Sequence, residues 1–227
     1  MSRSVLRVGV VVTMTIALLV AWQSARGGEQ PDPNGPFNRG IVVVGDSITA
    51  EYNDDKGDDF QGWWSMVGRH FGAHVTTHAQ TGSGYLRQGL ECEGNRFIDR
   101  PEAFRGTAPS LFIVEGGRND WASCIEGRHV EAPSAEIAQA VNHYLDVLQA
   151  NLPHSTRIVV LGPPWGTIDQ LGRRKLTAIV YAAAEAHGVQ YVSTIGTLDR
   201  RDHVIDGVHP NRAGSRALAD RVIAALE

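Results

Sequence analysis

The apolar positions of the chain follow two alternating patterns: short runs that suit strands, and longer segments with helical spacing. The clearest run covers residues 41–44, four consecutive β-branched residues, which is typical of a strand buried on both faces. Gly45, Asp46 and Ser47 then stop the strand. A serine hydroxyl is thereby left at the carboxyl end of a strand, the edge of an open α/β sheet where ligands bind. The same tripeptide is common in turns and helix caps, so alone it does not decide a function.

Four more apolar runs predict strands, and four amphipathic segments predict helices. The strands are expected at 73–79, 111–114, 157–161 and 189–192, and the helices at 62–71, 135–152, 170–187 and 211–226. Strands and helices alternate along the chain, and such alternation indicates a parallel sheet covered by helices on both faces. The predicted fold class is an α/β protein, a three-layer α/β/α sandwich around a five-stranded parallel sheet, with no internal repeat.

Polar groups and turn glycines also follow later strands. Gly82 and Gly84 come after the second strand, where positive φ angles would expose backbone N–H groups. Asn119 follows the third strand, and Asp206 and His209 lie together on the loop before the last helix. Three later stretches of the chain therefore also carry groups that can take part in chemistry together with Ser47.

The first residues have the pattern of a targeting segment. Arg3 and Arg7 precede an apolar run at 8–22, which is shorter than the roughly twenty residues of a bilayer span and typical of a signal-peptide core. We predict a signal peptide within residues 1–26 and a secreted or extracytoplasmic protein. The cleavage signal is weak, so an uncleaved N-terminal membrane anchor remains the alternative.

Composition sets the size of the folded part and its partners. Residues 27–39 are rich in proline and glycine and predict a linker, which leaves residues 40–227 as one domain. The 42% hydrophobic and 20% charged residues are ordinary for a globular protein. A net charge of −4 gives no basic footprint, which argues against a nucleic-acid partner. We expect a monomer.

Two cysteines, Cys92 and Cys124, are the only ones in the chain. In an exported protein such a pair favours one disulfide, with two unrelated thiols as the alternative. Neither cysteine belongs to a C-x-x-C pair, so metal binding is the poorer interpretation. The acidic residues at 51–59 lack the ligand spacing of a calcium loop and favour a solvated loop. The sequence predicts no metal and no organic cofactor.

The polar stretches resemble, in order, the conserved blocks of the SGNH, or GDSL-type, hydrolase family. G-D-S follows the first strand, G-x-N-D stands at 117–120 and D-x-x-H-P at 206–210, and the resemblance covers about residues 40–225. It implies a flavodoxin-like α/β/α fold and an esterase or lipase activity. By the same resemblance, Ser47 is the nucleophile, His209 its base and Asp206 the residue that orients the base. A lone D-x-x-H could otherwise be two metal ligands.

The resemblance also implies an oxyanion hole. Its donors would be the Ser47 N–H, a glycine N–H of the second block and the Asn119 side chain. The family has an asparagine ahead of that glycine and this chain does not, so the glycine is less certain from sequence. We favour Gly84, with Gly82 as its rival.

Two further features are expected to hold the loops of the site. Asp46 and Asp120 follow the family motif and are interpreted as hydrogen-bonding residues that order the loops. Cys92 follows the second block and Cys124 the third, so a bridge between them would pin both loops that carry oxyanion donors.

We therefore predict an exported serine esterase that hydrolyses carboxylic O-acyl or acetyl esters through an acyl-enzyme. The substrate is expected to be a small-molecule, glycan, glycolipid or lipid ester, with Trp64, Trp121 and Trp165 as candidate exposed rings for its binding. Core packing is the alternative for each ring. An acyltransferase with the same triad, or a non-catalytic binding module on the same fold, are the alternative functions.

Overall fold

A computed structural model describes residues 32–50, 62–167 and 172–227. The predicted targeting segment and the acidic residues at 51–59 lie outside these ranges. The described residues belong to one compact unit, Asp32–Glu227. None of the helices in these ranges combines the length and the apolar character that crossing a membrane requires.

The described part of the chain contains a central sheet and a separate hairpin. Its strands are β1 (Ile41–Gly45), β2 (Val75–Ala79), β3 (Leu111–Glu115), β4 (Ala122–Ile125), β5 (Arg128–Glu131), β6 (Arg157–Leu161) and β7 (Gln190–Val192). Five of them form a parallel sheet in the order β2-β1-β3-β6-β7, and β4 pairs with β5 antiparallel. The five-stranded parallel sheet predicted from the sequence is confirmed.

Helices cover both faces of the sheet. They are α1 (Ser47–Ala50), α2 (Trp63–His70), α3 (Ser134–Asn151), α4 (Arg173–Ala186) and α5 (Arg212–Leu226). α2 and α5 pack together in one apolar core, and α3 and α4 pack together in the other. The three-layer α/β/α architecture is therefore also confirmed.

The run of β-branched residues in β1 is explained by these two cores. Ile41 and Val43 point into the core with α2 and α5, whereas Val42 and Val44 point into the core with α3 and α4. Successive side chains of a strand face opposite ways, so a central strand needs apolar residues at every position. Each such burial contributes about 1.5–3 kcal/mol relative to exposure of the side chain.

The last helix begins one residue later than predicted, because Asn211 caps it. The Asn211 Oδ1 accepts the N–H groups of Ala213 and Gly214 at 2.9 and 3.1 Å. Such a cap is worth about 1 kcal/mol. It fixes the start of α5 directly after the loop that carries His209.

The predicted linker at 27–39 extends too far along the chain. Phe37 is 6% exposed and packs edge to face on Phe71, with ring centroids 4.9 Å apart. Arg39 donates hydrogen bonds to backbone carbonyls of two other loops. The folded unit thus already includes Asp32, because prolines and glycines prevent regular structure but not packing.

The β4–β5 hairpin was not predicted. Its two-residue turn consists of Glu126 and Gly127, with φ angles of 49° and 73°, which are those of a type I′ turn. Glu-Gly is a weak hairpin signal compared with Asn-Gly or Asp-Gly, so the sequence alone did not reveal it. The segment at 85–108, whose sequence has no clear apolar period, contains three short 3₁₀ turns, Leu90–Cys92, Phe97–Asp99 and Pro101–Ala103.

Candidate active site

The predicted nucleophile Ser47 is the first residue of α1, directly after β1. Asp46 caps this short helix, because its Oδ1 accepts the N–H of Ile48 at 2.8 Å. Ser47 is 6% exposed. The strand order changes direction between β1 and β3, and in open α/β sheets the crevice at that point is the usual ligand site.

Asp206 and His209 form a pair on the loop between β7 and α5. The Asp206 Oδ2 lies 2.7 Å from the His209 Nδ1, and its Oδ1 accepts the N–H groups of Val208 and His209 at 2.9 and 2.8 Å. Partial burial raises the pKa of Asp206, but these hydrogen bonds outweigh it and lower the pKa to about 2. The carboxylate is therefore ionised at neutral pH and holds the imidazole by its Nδ1.

Ser47 begins α1, whereas His209 lies on the loop before α5. Within the described ranges, no hydrogen bond joins the Ser47 Oγ to the His209 Nε2. His209 nevertheless lies close enough to Asp46 for its charge to lower the pKa of that carboxyl, against the larger raising effect of burial. Catalytic hydrogen bonds are often long without substrate and shorten in the complex.

The Asn119 side chain lies between the first two loops of the site. Its Nδ2 donates to the Asp46 Oδ2 at 3.0 Å and to the Ser83 carbonyl at 2.9 Å. An amide Nδ2 carries two protons, so both are in use. An oxyanion bound at this position would therefore have to share one of these two protons with Asp46 or Ser83.

The two candidate glycines differ in what their N–H groups do. The Gly84 N–H donates to the Arg87 carbonyl at 2.9 Å, and a Cβ on Gly84 would collide with the Asp120 carboxylate. The Gly82 N–H has no acceptor among the described residues, and Gly82 adopts a φ of +73°. The Gly84 N–H therefore already closes its own turn, whereas the Gly82 N–H has no such partner, and the choice between Gly84 and Gly82 stays a prediction.

Asp120 holds the loop that follows those glycines. It is fully buried, and its carboxylate accepts the N–H groups of Tyr85, Leu86 and Arg87 at 2.8–3.1 Å. Burial raises the pKa of Asp120 to about 6, although these hydrogen bonds oppose the rise. Asp120 thus orders the second block from a position in the third, as the sequence suggested.

Arg100 is a site residue that the sequence did not reveal. It is 5% exposed and donates to the carbonyls of Gly45, His78 and Asn95 and to the Ser83 Oγ. It thereby ties the ends of β1 and β2 to the Gly82–Ser83 turn. Arg100 lies in the segment at 85–108, which shows no periodicity, so no sequence signal pointed to it.

Two more buried charges lie below the loops. The Glu115 Oε2 accepts the Thr49 hydroxyl at 2.8 Å, while its Oε1 and the Arg118 Nη1 have no hydrogen-bond partner among the described residues. Burial and the neighbouring Asp46 carboxyl raise the pKa of Glu115 well above its usual value. Burial also raises the pKa of Asp46, and the Arg118 guanidinium opposes the rise in pKa at both carboxyls. The sequence signal that could have identified Glu115 is a charged residue at the end of an otherwise apolar strand.

The structure joins Cys92 and Cys124 in a disulfide, with their Cα atoms 5.5 Å apart. The bridge ties the turn Leu90–Cys92 to β4, and this turn packs directly beside Gly82. His129 lies opposite Cys124 in the hairpin, close to both sulfurs. Because the thiols are bonded to each other, neither is available there as a metal-binding thiolate.

The three candidate tryptophans have different environments. Trp165 is 2% exposed and donates its Nε1–H to the Thr177 Oγ1 at 2.9 Å, so its interpretation as an exposed ring is wrong. Trp64 is partly buried against the core with α2 and α5. Trp121 is 38% exposed, with the Arg87 guanidinium 5.3 Å from its ring centre.

The sequence matches a known family over most of its length. The model of the GDSL-like lipase/acylhydrolase family matches residues 43–217. The GDSL lipase Rv0518 of Mycobacterium tuberculosis is 30% identical over 194 residues, which cover 80% of this chain and 79% of that protein.

Solved structures with the same fold include carbohydrate esterases. A family two carbohydrate esterase from Clostridium thermocellum, in complex with cellohexaose, superposes with a TM-score of 0.67 at 18% identity, covering 84% of this chain and 64% of that one. A carbohydrate acetylesterase family member from Sinorhizobium meliloti gives a TM-score of 0.62 at 15% identity, covering 82% and 97%. At these identities the likeness concerns the fold.

Proposed function

Because the chain belongs to the GDSL-like lipase/acylhydrolase family, we propose that it is a serine esterase that cleaves carboxylic esters through an acyl-enzyme. The Ser47 Oγ attacks the ester carbonyl carbon while the His209 Nε2 takes the hydroxyl proton. The tetrahedral intermediate then collapses, the alcohol leaves with that proton, and the acyl group stays on Ser47. A water molecule then gives a proton to His209 and attacks the acyl carbon. When this second intermediate collapses, His209 returns that proton to the Ser47 Oγ and the carboxylic acid is released.

The observation that carries this proposal is the pairing of Asp206 with His209. With the Nδ1 proton held by Asp206 at 2.7 Å, the Nε2 is the ring nitrogen left to accept a proton. Because the pKa of Asp206 is lowered to about 2, its negative charge is present to stabilise the imidazolium that forms. Both residues follow β7, and Ser47 follows β1, so they share the carboxyl edge of the sheet.

The oxyanion donors in this proposal are the N–H groups of Ser47 and Gly82 and the Asn119 side chain. Neither N–H has a backbone acceptor within the described ranges, so both are available to a ligand. Removing one such donor typically costs about 2.7–4 kcal/mol of transition-state stabilisation. Arg100 and the disulfide act by holding the Gly82 turn, without touching the substrate.

The proposed substrate is an O-acyl ester, including O-acetyl, on a glycan or glycolipid. The two carbohydrate esterases with the same fold support this class, and one of them was solved with a cellulose oligosaccharide. The exposed ring of Trp121 offers an apolar face suited to stacking on a sugar.

We also propose that the enzyme works outside the cytoplasm. The support is the signal-peptide pattern within residues 1–26 and the disulfide, which suits an oxidising compartment. If the segment is not cleaved, it would tether the enzyme to a membrane. N-terminal sequencing of the exported protein distinguishes the two cases.

The test is hydrolysis of p-nitrophenyl esters, from acetate to palmitate, by the full chain and by its Ser47→Ala variant. We expect turnover by the wild type, none by Ser47→Ala, and fluorophosphonate labelling that depends on Ser47. Ser65→Ala, a serine on α2, is the matched control and should behave as the wild type. If the wild type shows neither turnover nor labelling, the esterase proposal is wrong; labelling without turnover would point to an acyltransferase.

A further inference from the structure

A groove of about 1110 Å³ lies between the start of α4 and the end of β7. One wall is the start of α4, with Arg173, Arg174 and Lys175, and the other is the end of β7 with the loop after it. Tyr181 and Tyr191 line its length. We call this feature the basic groove.

The basic groove lies on the same edge of the sheet as Ser47. α4 begins and β7 ends at the carboxyl edge, and Ser193, in the groove wall, starts the loop that leads to Asp206. β7 is three strands from β1, and neighbouring strands are about 4.8 Å apart. The end of β7 in the groove wall and the strand that precedes Ser47 are therefore about 14 Å apart across the sheet.

One tryptophan connects the groove wall to the interior of the site. Thr177 lines the groove and accepts the Nε1–H of Trp165 at 2.9 Å. On its other side, the Trp165 ring centre lies 5.9 Å from the Arg118 guanidinium, next in sequence to Asn119. The buried Trp165 thus lies between Thr177 in the groove wall and Arg118 beside Asn119.

The cations of the basic groove have few partners within the part of the chain that the structure describes. Among the described residues, no ion pair or side-chain hydrogen bond engages Arg173 or Arg174, and Lys175 has only Glu131, at 4.0 Å. These charges stand out on a chain whose net charge is −4. An anionic ligand would complement them.

The aromatic lining indicates what kind of anion fits. Tyr181 is 48% exposed and packs edge to face on Tyr191, with ring centroids 5.2 Å apart. This contact holds the ring of Tyr181 in place with much of its surface open to a ligand. A fixed aromatic surface beside cationic side chains suits a sugar ring that carries carboxylates.

We propose that the basic groove binds an acidic oligosaccharide, with its carboxylates at Arg173 and Arg174 and a sugar ring on Tyr181. The proposal rests on the proposed function for one step, that the acylated part of the same chain reaches Ser47. The substrate would then be an O-acylated acidic glycan, whose charged portion binds in the basic groove.

Binding is measured on the full chain carrying Ser47→Ala, so that no turnover interferes. Hexagalacturonate and cellohexaose, six sugar rings each, are titrated by calorimetry at low and at high salt. We expect hexagalacturonate to bind at least tenfold more tightly than the neutral cellohexaose, with an affinity that falls as salt rises. The variant Arg173→Gln/Arg174→Gln should lose at least tenfold in that affinity.

The matched control removes the same charge elsewhere. Arg105→Gln/Arg216→Gln changes two exposed arginines outside the groove and should leave hexagalacturonate binding unchanged. Thermal unfolding checks that each variant is folded. If the double variant misfolds, the single change Arg174→Gln, on an exposed side chain, replaces it in the binding measurement.

Several results would overturn the proposal: no binding of hexagalacturonate, equal binding of cellohexaose, or equal losses in the control. Binding of phosphatidylglycerol vesicles through Arg173 and Arg174, without hexagalacturonate binding, would identify a lipid surface instead. Turnover of p-nitrophenyl acetate by the wild type tests the esterase separately. If that turnover is absent and arginine-dependent hexagalacturonate binding remains, the esterase fails and the groove stands.

Discussion

Two aspartates of the site accept backbone hydrogen bonds, and yet their pKa values move in opposite directions. Asp206 has a half-exposed side chain, and its hydrogen bonds outweigh partial burial to lower the pKa to about 2. Asp120 is fully buried, and its three backbone hydrogen bonds do not prevent burial from raising the pKa to about 6. Hydrogen bonds fix the geometry in both places, whereas the extent of burial decides the direction in which the pKa moves.

The two regions also differ in how they are built. The Asp206–His209 pair is local, since its hydrogen bonds join residues two or three positions apart. The oxyanion region is non-local, because Asn119 contacts residues 36 and 73 positions away. The base and its partner therefore form one exposed loop, while the oxyanion donors depend on the packing of the whole sheet edge.

The largest expected effect comes from the local region. Asp206→Asn should lower kcat by about 10⁴-fold, because an amide can favour the wrong imidazole tautomer. The free energy of unfolding should change by less than about 1 kcal/mol, since the side chain is half exposed. Asp202→Asn, on the same loop, is the matched control for the esterase assay, because among the described residues its side chain pairs with Arg200. A variant that keeps more than a tenth of the wild-type kcat would contradict the assignment of Asp206.

The next effect tests the oxyanion region. Asn119→Ala should lower kcat about 10²- to 10³-fold with little change in KM, because the lost donor acts on the transition state. Steady-state kinetics with one p-nitrophenyl ester separates the two constants. Asn142→Ala removes a comparable amide on α3, bonded only to the Ala138 carbonyl, and should leave both constants unchanged. A rise in KM at constant kcat would mean that Asn119 binds substrate in its ground state instead.

Arg100→Met tests whether the buried region depends on one side chain. It removes four hydrogen bonds and leaves buried acceptors unpaired, so we expect unfolding to become easier by about 3 kcal/mol and kcat to fall more than tenfold. Urea unfolding and esterase kinetics measure both quantities. Arg96→Met is the control, because Arg96 is 41% exposed and its side chain bonds only to Asp99. Similar losses in both variants would show that the effect is not specific to Arg100.

Breaking the disulfide should have a smaller effect on activity. Replacing Cys92 and Cys124 by serine should lower the free energy of unfolding by about 3.5–4 kcal/mol for a separation of 32 residues. Activity should fall a few-fold at a temperature where the variant is folded, because the turn beside Gly82 is released. Full activity of the folded serine variant, or after verified reduction, would remove this role.

The smallest expected effect is on how the free energy of unfolding depends on pH. The folded pKa of Asp120, about 6, lies above its ordinary 3.8, so the folded state binds more protons and stability falls as pH rises from about 4 to 6. This difference corresponds to about 3 kcal/mol. Asp120→Asn should therefore lie closer to the wild type in urea unfolding at pH 7 than at pH 4. Asp206, with its pKa lowered to about 2, gains stability as pH rises towards 4 and does not affect this window. An equal gap at both pH values would show that Asp120 is not protonated near pH 6.

The sequence led to the fold because its pattern is local and repeated. The apolar run of β1 and the helical spacing of α3 and α5 each predict an element, and alternation predicts their arrangement. It failed for the β4–β5 hairpin, whose Glu-Gly turn is a weak signal, and for residues 32–39, where Phe37 packs without regular structure.

For the candidate site, the sequence by itself determined the groups that follow the strands: Ser47, Asn119, and the Asp206–His209 pair, whose short spacing makes the contact almost inevitable. Only the tertiary structure shows that the turn already uses the Gly84 N–H and that the Gly82 N–H has no backbone acceptor among the described residues. It also brought in Arg100, whose acceptors are 5 to 55 positions away. Contacts between residues a few positions apart follow from the local sequence, whereas contacts across the sheet exist only once the strands have packed.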